Sequence, residues 1–445
     1  MAIIRQKQLF NWQTANARSD LDRLSLVLES LPDEGLVRKL ERRRGSRGRN
    51  DYPVRAVWNA VLAGVVYQHQ SVESLRRELL RNGELRGMCG FNSMSGAGTV
   101  PTSDAFSRFL KNLGLESKAI RDMFDSLVES LRELLPDLGR SLAADGKALP
   151  SHAKGRKNPA ESSDPEADWG GKTVRGRKDD GSLWKRTTWW FGYKLHLLVD
   201  SVHELPLGFE LTKASQDETT RLEGLVKGLA ESHPEVAANS EQLSADRGYD
   251  SAGNNRLLFD DHGIKPLIDI RSLWKDGEET KLLDPEKTDN IVYDEAGKVY
   301  CHCPLTHKRR EMAFQGFEKR RKCLKYRCPA AACGIECAGL SQCPGAATDF
   351  GRVVRVKLET DRRIFTPLAR CTKAWARDYK RRSAVERVNS RIDVSFGFEN
   401  HYIRGFKKME MRIGLALAVM LALAVGHIKE GEAEKMRSLV QPRAA

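Results

Sequence analysis

Little in this chain would export it or fix it in a membrane. The opening Met1-Ala-Ile-Ile-Arg-Gln-Lys7 turns polar before the apolar core of a secretory signal can form, so a cytosolic location is expected. One stretch alone is membrane-like, Ile413 to Ile428. It falls short of the roughly 20 residues that span a bilayer, is rich in Ala and Gly and carries His427 near its end, so it reads as a buried core helix. No internal repeat is visible, which excludes a stacked array. Cysteine is nearly absent outside residues 301–343, with seven of the nine crowded into that segment. Such crowding in a cytosolic chain argues against a disulfide framework and raises metal binding instead.

At 445 residues the chain exceeds the size at which one core keeps growing, so several domains are expected. Lys and Arg number 74 against 60 Asp and Glu, and the net charge of +14 favours a polyanionic partner without choosing among DNA, RNA and an acidic membrane.

Residues 1–136 read as an all-α domain. Val54, Val57, Trp58, Val61, Leu62 and Val65 keep i, i+3, i+4 spacing, Ser71 can cap the next helix, and Thr102 or Ser103 another. Between the first two apolar segments lies the basic stretch Arg38 to Arg49, in which Arg42, Arg43 and Arg44 are suited to phosphate contact. A solvated loop is the plainer reading of that stretch.

Residues 137–262 change character. Short strands are predicted at Gly139 to Asp145, Trp189 to Asp200 and Leu205 to Thr212, the last two joined as a hairpin around Val202-His-Glu204. A helix near 219–232, a strand ending at Asp246 and a short helix near 251–261 follow. Strand, strand, strand, helix, strand, helix is the order of an α/β ribonuclease H-like fold, a mixed sheet flanked by helices. Residues 150–186 have few apolar anchors and read as a mobile loop whose basic residues contact substrate. Residues 263–370 read as a cysteine-rich insertion before the last catalytic helix, 371–430 as the second part of the catalytic domain, and 431–445 as a frayed polar tail.

Three acids stand out. Asp145 in Leu-Ala-Ala-Asp-Gly-Lys and Asp246 in Leu-Ser-Ala-Asp-Arg-Gly-Tyr end short apolar runs, whereas Glu386 in Tyr379-Lys-Arg-Arg-Ser-Ala-Val-Glu lies in a segment of helical periodicity. Three such carboxylates can hold two divalent ions about 3.5 to 4 Å apart, the arrangement that activates an attacking oxygen and stabilises the leaving oxygen of a phosphodiester. On one helix Tyr379, Arg382, Glu386, Asn389 and Asp393 would share a face, with Arg382 on a phosphate oxygen and Tyr379 on the DNA backbone. Alone, an Asp before Gly is a common strand-to-turn residue, and Arg382 with Glu386 is an ordinary helical ion pair. His196 in the second strand reads as a structural histidine, Lys194 as a DNA contact or a neutral bystander, and Arg247 as a phosphate contact or a partner of the acids.

Ala-Asp-Gly-Lys, Phe-Gly-Tyr-Lys-Leu-His, Ala-Asp-Arg-Gly-Tyr-Asp and Tyr-x-x-Arg-x-x-x-Glu, in that order over residues 137 to 430, resemble the DDE transposases of bacterial insertion sequences. The resemblance implies that Asp145, Asp246 and Glu386 are catalytic and hold two Mg2+ (or Mn2+) ions, and that Tyr379 and Arg382 assist strand handling. It implies double-stranded DNA partners, namely the element's terminal inverted repeats and target DNA, a homodimer in the DNA complex, no membrane partner, and a bacterial cytoplasmic protein at the nucleoid when bound. One position departs. Where the family signature carries a lysine seven residues past the glutamate, this chain has Asp393, with Arg387 or Arg391 as neighbours able to supply the charge.

Among the cysteines, Cys323, Cys328, Cys333 and Cys337 are spaced to form a structural zinc site, with Cys301, Cys303, Cys343, His302 and His307 nearby and a few buried thiols as the alternative. Trp274 reads as a core aromatic, a wedge against a displaced base being its other role. The function expected is metal-dependent DNA strand cleavage and strand transfer by a transposase. A non-catalytic, sequence-specific DNA-binding protein derived from a mobile element is the competing class, and a hydrolytic nuclease on the same fold is a third.

Overall fold

The computed structural model describes residues 20–44, 51–92, 96–177, 180, 182–286, 290–343 and 348–439. Its first part is helical: α1 (Asp20–Ser30), α2 (Glu34–Arg44), α3 (Val54–Val66), α4 (Val72–Arg81), α5 (Gly83–Cys89), α6 (Ser103–Leu113) and α7 (Ser117–Leu134). The side chain of Ser71 accepts from Ser74 N–H at 3.1 Å and that of Thr102 from Ala105 N–H at 3.3 Å, satisfying donors that a helix start leaves unpaired. The periodic apolar residues of α3 are all buried, and the Trp58 indole donates to the buried Asp33 at 2.5 Å. The basic stretch is not simply a loop. Arg38 to Arg44 continue α2, because Leu36, Val37 and Leu40 give that segment a buried helical stripe, while residues 45–50 lie outside the described residues.

β1 (Ser141–Pro150), β2 (Asp168–Arg177), β3 (Leu183–Asp200) and β4 (Leu205–Lys213) are followed by α8 (Arg221–Ser232), α9 (Pro234–Asn239), β5 (Gln242–Ala245), α10 (Ala252–Arg256) and β6 (Lys265–Ile268). The main path across the sheet runs β4-β3-β1-β5-β6, with β3 antiparallel to both β1 and β4, and β5 parallel to both β1 and β6. This mixed sheet with flanking helices fits the ribonuclease H-like expectation. The segment read as a mobile loop differs. β2 pairs with the first half of β3, from Asp168 opposite Gly192 to Arg177 opposite Leu183, as a two-stranded ribbon. Its stabilising pairs were easy to overlook: Trp189, Trp190 and Trp184 lie across from Gly171, Gly170 and Gly176, with ring atoms 2.5–2.8 Å from where a Cβ would stand.

β7 (Lys281–Leu282), β8 (Ile291–Tyr293), β9 (Val299–His302) and β10 (Arg309–Glu311) make one small sheet, and β11 (Ala313–Glu318), β12 (Cys323–Arg327) and β13 (Val353–Lys357) another, with α11 (Pro329–Cys333) after β12. They enclose a separate core that includes Ile291, Val299, Tyr326, Val356 and Phe365. Trp274 packs against this core, edge-on to Tyr293 at 5.8 Å and beneath the Lys281 ammonium at 4.5 Å, which favours the core reading over a base wedge. The interruption starts later than residue 263, because Lys265–Ile268 pairs with β5 as the last strand of the main sheet. Arg363, paired within the insertion with Glu295 at 2.9 Å, ties it to the main domain through Asp250 at 3.0 Å.

Then come α12 (Lys373–Tyr379), α13 (Ser383–Phe396) and α14 (Phe406–Lys429). The apolar run is the buried part of α14, enclosed by α1, α3 and α7. A Cβ on Gly414 would come 2.8 Å from Ile120 of α7, so the bare glycine permits that close crossing. One continuous core runs from the early helices through α14 into the main sheet, where the Arg121 guanidinium of α7 lies 3.7 Å over the Phe209 ring of β4. The tail is docked as far as Leu439, which is buried, and Arg437 donates to Val202 O at 2.6 Å. Residues 440–445 lie outside the described residues.

Candidate active site

Parallel pairing of β1 with β5 stops at Ala144 opposite Ala245, and the next residue on each chain is an aspartate. Asp145 is therefore not at a strand tip, since β1 runs on to Pro150 beside β3, but it leaves the parallel pair at the same end as Asp246. Asp246 also accepts from Gly248 N–H at 2.7 Å, capping the turn that follows. Burial, then the charges of Asp246 and Glu218, push the Asp145 carboxyl up to about 7, against the opposing pull of Lys172 and Arg382.

Glu218 is the functional candidate that the sequence reading missed. It stands just before α8, and its carboxyl is pushed up by burial and by Asp246, with Lys194 opposing. A Cβ on Gly146 would lie 2.6 Å from one Glu218 oxygen and a Cβ on Gly248 2.7 Å from the other, so the glycines following the two aspartates leave room for a third acid. Those two glycines were the available signal. Among the described residues, only His427, Glu430 and Glu432 bring three metal-capable atoms within 4.8 Å of one another, so these mutually repelling acids stand somewhat wider apart.

Glu386 approaches from α13. Asn389, one turn further on, donates to Asp145 at 3.0 Å, whereas Glu386 itself is half exposed and accepts from Arg382 at 2.8 Å. The five residues do not share one uninterrupted helix. α12 ends at Tyr379, a tight turn covers Lys380–Arg382, and α13 begins at Ser383. The Tyr379 ring stacks on Trp375 with centroids 4.6 Å apart and Arg382 5.9 Å above it. Asp393 is paired with Lys147 of β1 at 2.5 Å, so a lysine from another element stands where the signature lysine is lacking. Arg387 and Arg391 do not fill that role, because both grip Glu204, at 2.7 and 2.5 Å, on another face of α13.

Lys194 is nearly buried, 3.2 Å from Glu218, so its ammonium belongs to the acid cluster rather than to an open surface. Arg247 pairs with Asp269 at 2.6 Å. His196 is buried, shares a hydrogen bond with Thr212 at 2.9 Å, and burial lowers its imidazole to about 3, which makes it a neutral structural histidine. On α2, Arg42 is exposed, Arg43 pairs with Glu116 at 2.5 Å and Arg44 donates to Tyr52 O. The cysteine grouping Cys323, Cys328, Cys333 and Cys337 is not assembled. Cys323 sits within β12 and donates toward Glu318 at 3.6 Å, and Cys333 is exposed at the end of α11. Instead Cys301, Cys303, Cys328, Cys337 and Cys343 line one cavity.

A family model described as the transposase DDE domain matches residues 142–422, and a second, described as a transposase domain, matches residues 12–112. No curated protein matches the chain. Among solved structures, a piggyBac transposase synaptic complex with hairpin DNA is 12% identical, with 96% of this chain and 80% of that one covered at a TM-score of 0.36, too low to bear on the fold. The match over 142–422 takes in the main sheet, both aspartates, the insertion, α13 and most of α14, and the chain belongs to the transposase DDE domain family.

Proposed function

We propose that the protein binds the terminal inverted repeats of an insertion sequence, nicks the DNA there and joins the freed 3′-hydroxyl to a target strand. The observation that carries this reading is the emergence of Asp145 and Asp246 from adjacent parallel strands, with the helix of Glu386 held to Asp145 through Asn389. The donors are carboxylate oxygens, the ligand chemistry of Mg2+ or Mn2+, and the mutual repulsion of Asp145, Asp246 and Glu218 is what a divalent cation would relieve. Bound there, two such ions would activate first water and then the 3′-hydroxyl.

The chain's own residues supply the rest. Arg382 lies between Glu386 and the field of Asp145, so a DNA phosphate that took the guanidinium would free Glu386 to turn toward the aspartates. Asn389 fixes the Asp145 carboxylate, and Lys194 holds Glu218. Tyr379 on its Trp375 platform offers a hydroxyl to the backbone, and the exposed Arg42 offers a charge from the helical region. Two element ends must be joined, which calls for a homodimer on DNA.

A non-catalytic DNA-binding protein accounts less well for a buried acid cluster, which costs stability and gives a binder nothing. Gel-shift and nicking assays on the same terminal-repeat DNA test the choice. Asp246→Asn is expected to abolish Mg2+-dependent nicking and leave binding nearly intact; nicking that survives this substitution overturns the assignment of the acids.

A further inference from the structure

Three separate segments of the insertion deliver thiols to one cavity. Cys301 and Cys303 come from the end of β9 and the turn after it, Cys328 from the junction of β12 with α11, and Cys337 and Cys343 from the turns beyond. None of the five is in a disulfide. The turns are built for sulfur: the backbone N–H groups of Leu305, Thr306 and Gly339 and the Thr306 side chain hydrogen-bond to Cys303, and Gly339 N–H also reaches Cys337. Cys337 in turn hydrogen-bonds to Cys303. Amide groups turned on a sulfur stabilise a thiolate, the form that ligates a metal.

We infer that four of these five cysteines, Cys303 and Cys337 among them, form a structural zinc site that joins the two small sheets of the insertion. Zinc takes tetrahedral thiolate sets, and a closed set of four leaves no position for catalysis. The sulfurs now stand wider than ligation would draw them, since no three thiols come within 4.8 Å of one another, so the turns would close by a small movement on binding. Cross-linking would matter here because the insertion core is small, and ligands separated by 25 residues of chain (Cys303 to Cys328) would close a long loop beside it. The site differs from the grouping that spacing alone suggests, and Cys323 and Cys333 take no part.

Metal analysis of full-length protein purified without chelator, followed by cobalt substitution, tests this inference. The expected result is about one zinc per chain and, after exchange, the visible absorption of tetrahedral cobalt with sulfur charge-transfer bands. The double variant Cys323→Ser/Cys333→Ser keeps the metal and the spectrum, whereas Cys303→Ser and Cys337→Ser each lose them. Because those single variants can misfold, thiol titration of the native wild-type protein serves as a second reading, with four thiols becoming reactive only after chelation. Folded wild-type protein that carries no zinc, or a Cys323→Ser/Cys333→Ser variant that loses it, overturns the inference.

Discussion

Replacing Asp145 by Asn should stabilise the metal-free protein, and only above a definite pH. The Asp145 carboxyl stands at about 7 in the folded chain against an ordinary 3.8, with burial the largest cause and Asp246 and Glu218 next. The folded state thus holds the proton more tightly than the unfolded state, and folding stability falls as pH rises between those two values. At about 1.36 kcal/mol per pH unit, the full difference corresponds to about 4 kcal/mol of destabilisation above pH 7. The buried amide of the variant carries a desolvation cost of its own, about 1 to 3 kcal/mol, so about 2 kcal/mol is the expected gain for Asp145→Asn. The amide oxygen can still accept from Asn389, so the main hydrogen bond is kept. Urea unfolding with chelator at pH 4 and pH 8 reads the effect: the variant matches wild type at pH 4, exceeds it at pH 8, and loses that advantage when Mg2+ is added, because the intact acids then bind the ion. A variant equally stabilised at both pH values, or not at all at pH 8, refutes the electrostatic account.

Two further outcomes follow from the same geometry. Glu218→Gln should raise the Mn2+ concentration needed for half-maximal nicking by about tenfold while leaving DNA binding unchanged, and an unaltered metal response would remove Glu218 from the site. Asp33→Ala leaves the Trp58 indole without its acceptor and Arg55 with Glu34 as its remaining partner, and should cost about 2 to 3 kcal/mol by denaturant unfolding; a loss under 0.5 kcal/mol, roughly the level of an ordinary surface change, would contradict the buried network.

The two aspartates were legible because each closes an apolar run and has a glycine close behind it, Gly146 directly after Asp145 and Gly248 one residue beyond Arg247, a pattern local to the sequence. Glu218 was not, since its partners Gly146 and Gly248 lie 72 and 30 residues away and meet it only once β1 and β5 are side by side. The ribbon of β2 and β3 was hidden for a related reason: its order comes from tryptophans laid over cross-strand glycines, which in sequence look like loop composition. Cysteine spacing and the cavity select different thiols because a count along the chain ignores that Cys323 sits inside β12 and Cys333 is exposed at the end of α11, while Cys301, Cys303 and Cys343 reach the cavity from β9 and from turns far along the chain. At Asp393 the local pattern registered a missing lysine, and the Lys147 that pairs with Asp393 comes from β1, which no reading of the helix alone could supply.

The central claim is strand transfer, and it is tested most directly by incubating purified protein and Mg2+ with a DNA fragment that ends in the element's terminal repeat with a free 3′-hydroxyl, together with a supercoiled target plasmid. The account predicts covalent joining of the fragment to the plasmid, lost in Asp145→Asn, Asp246→Asn and Glu386→Gln. Hydrolysis of the end without any joined product, or joining that persists in all three variants, would contradict it.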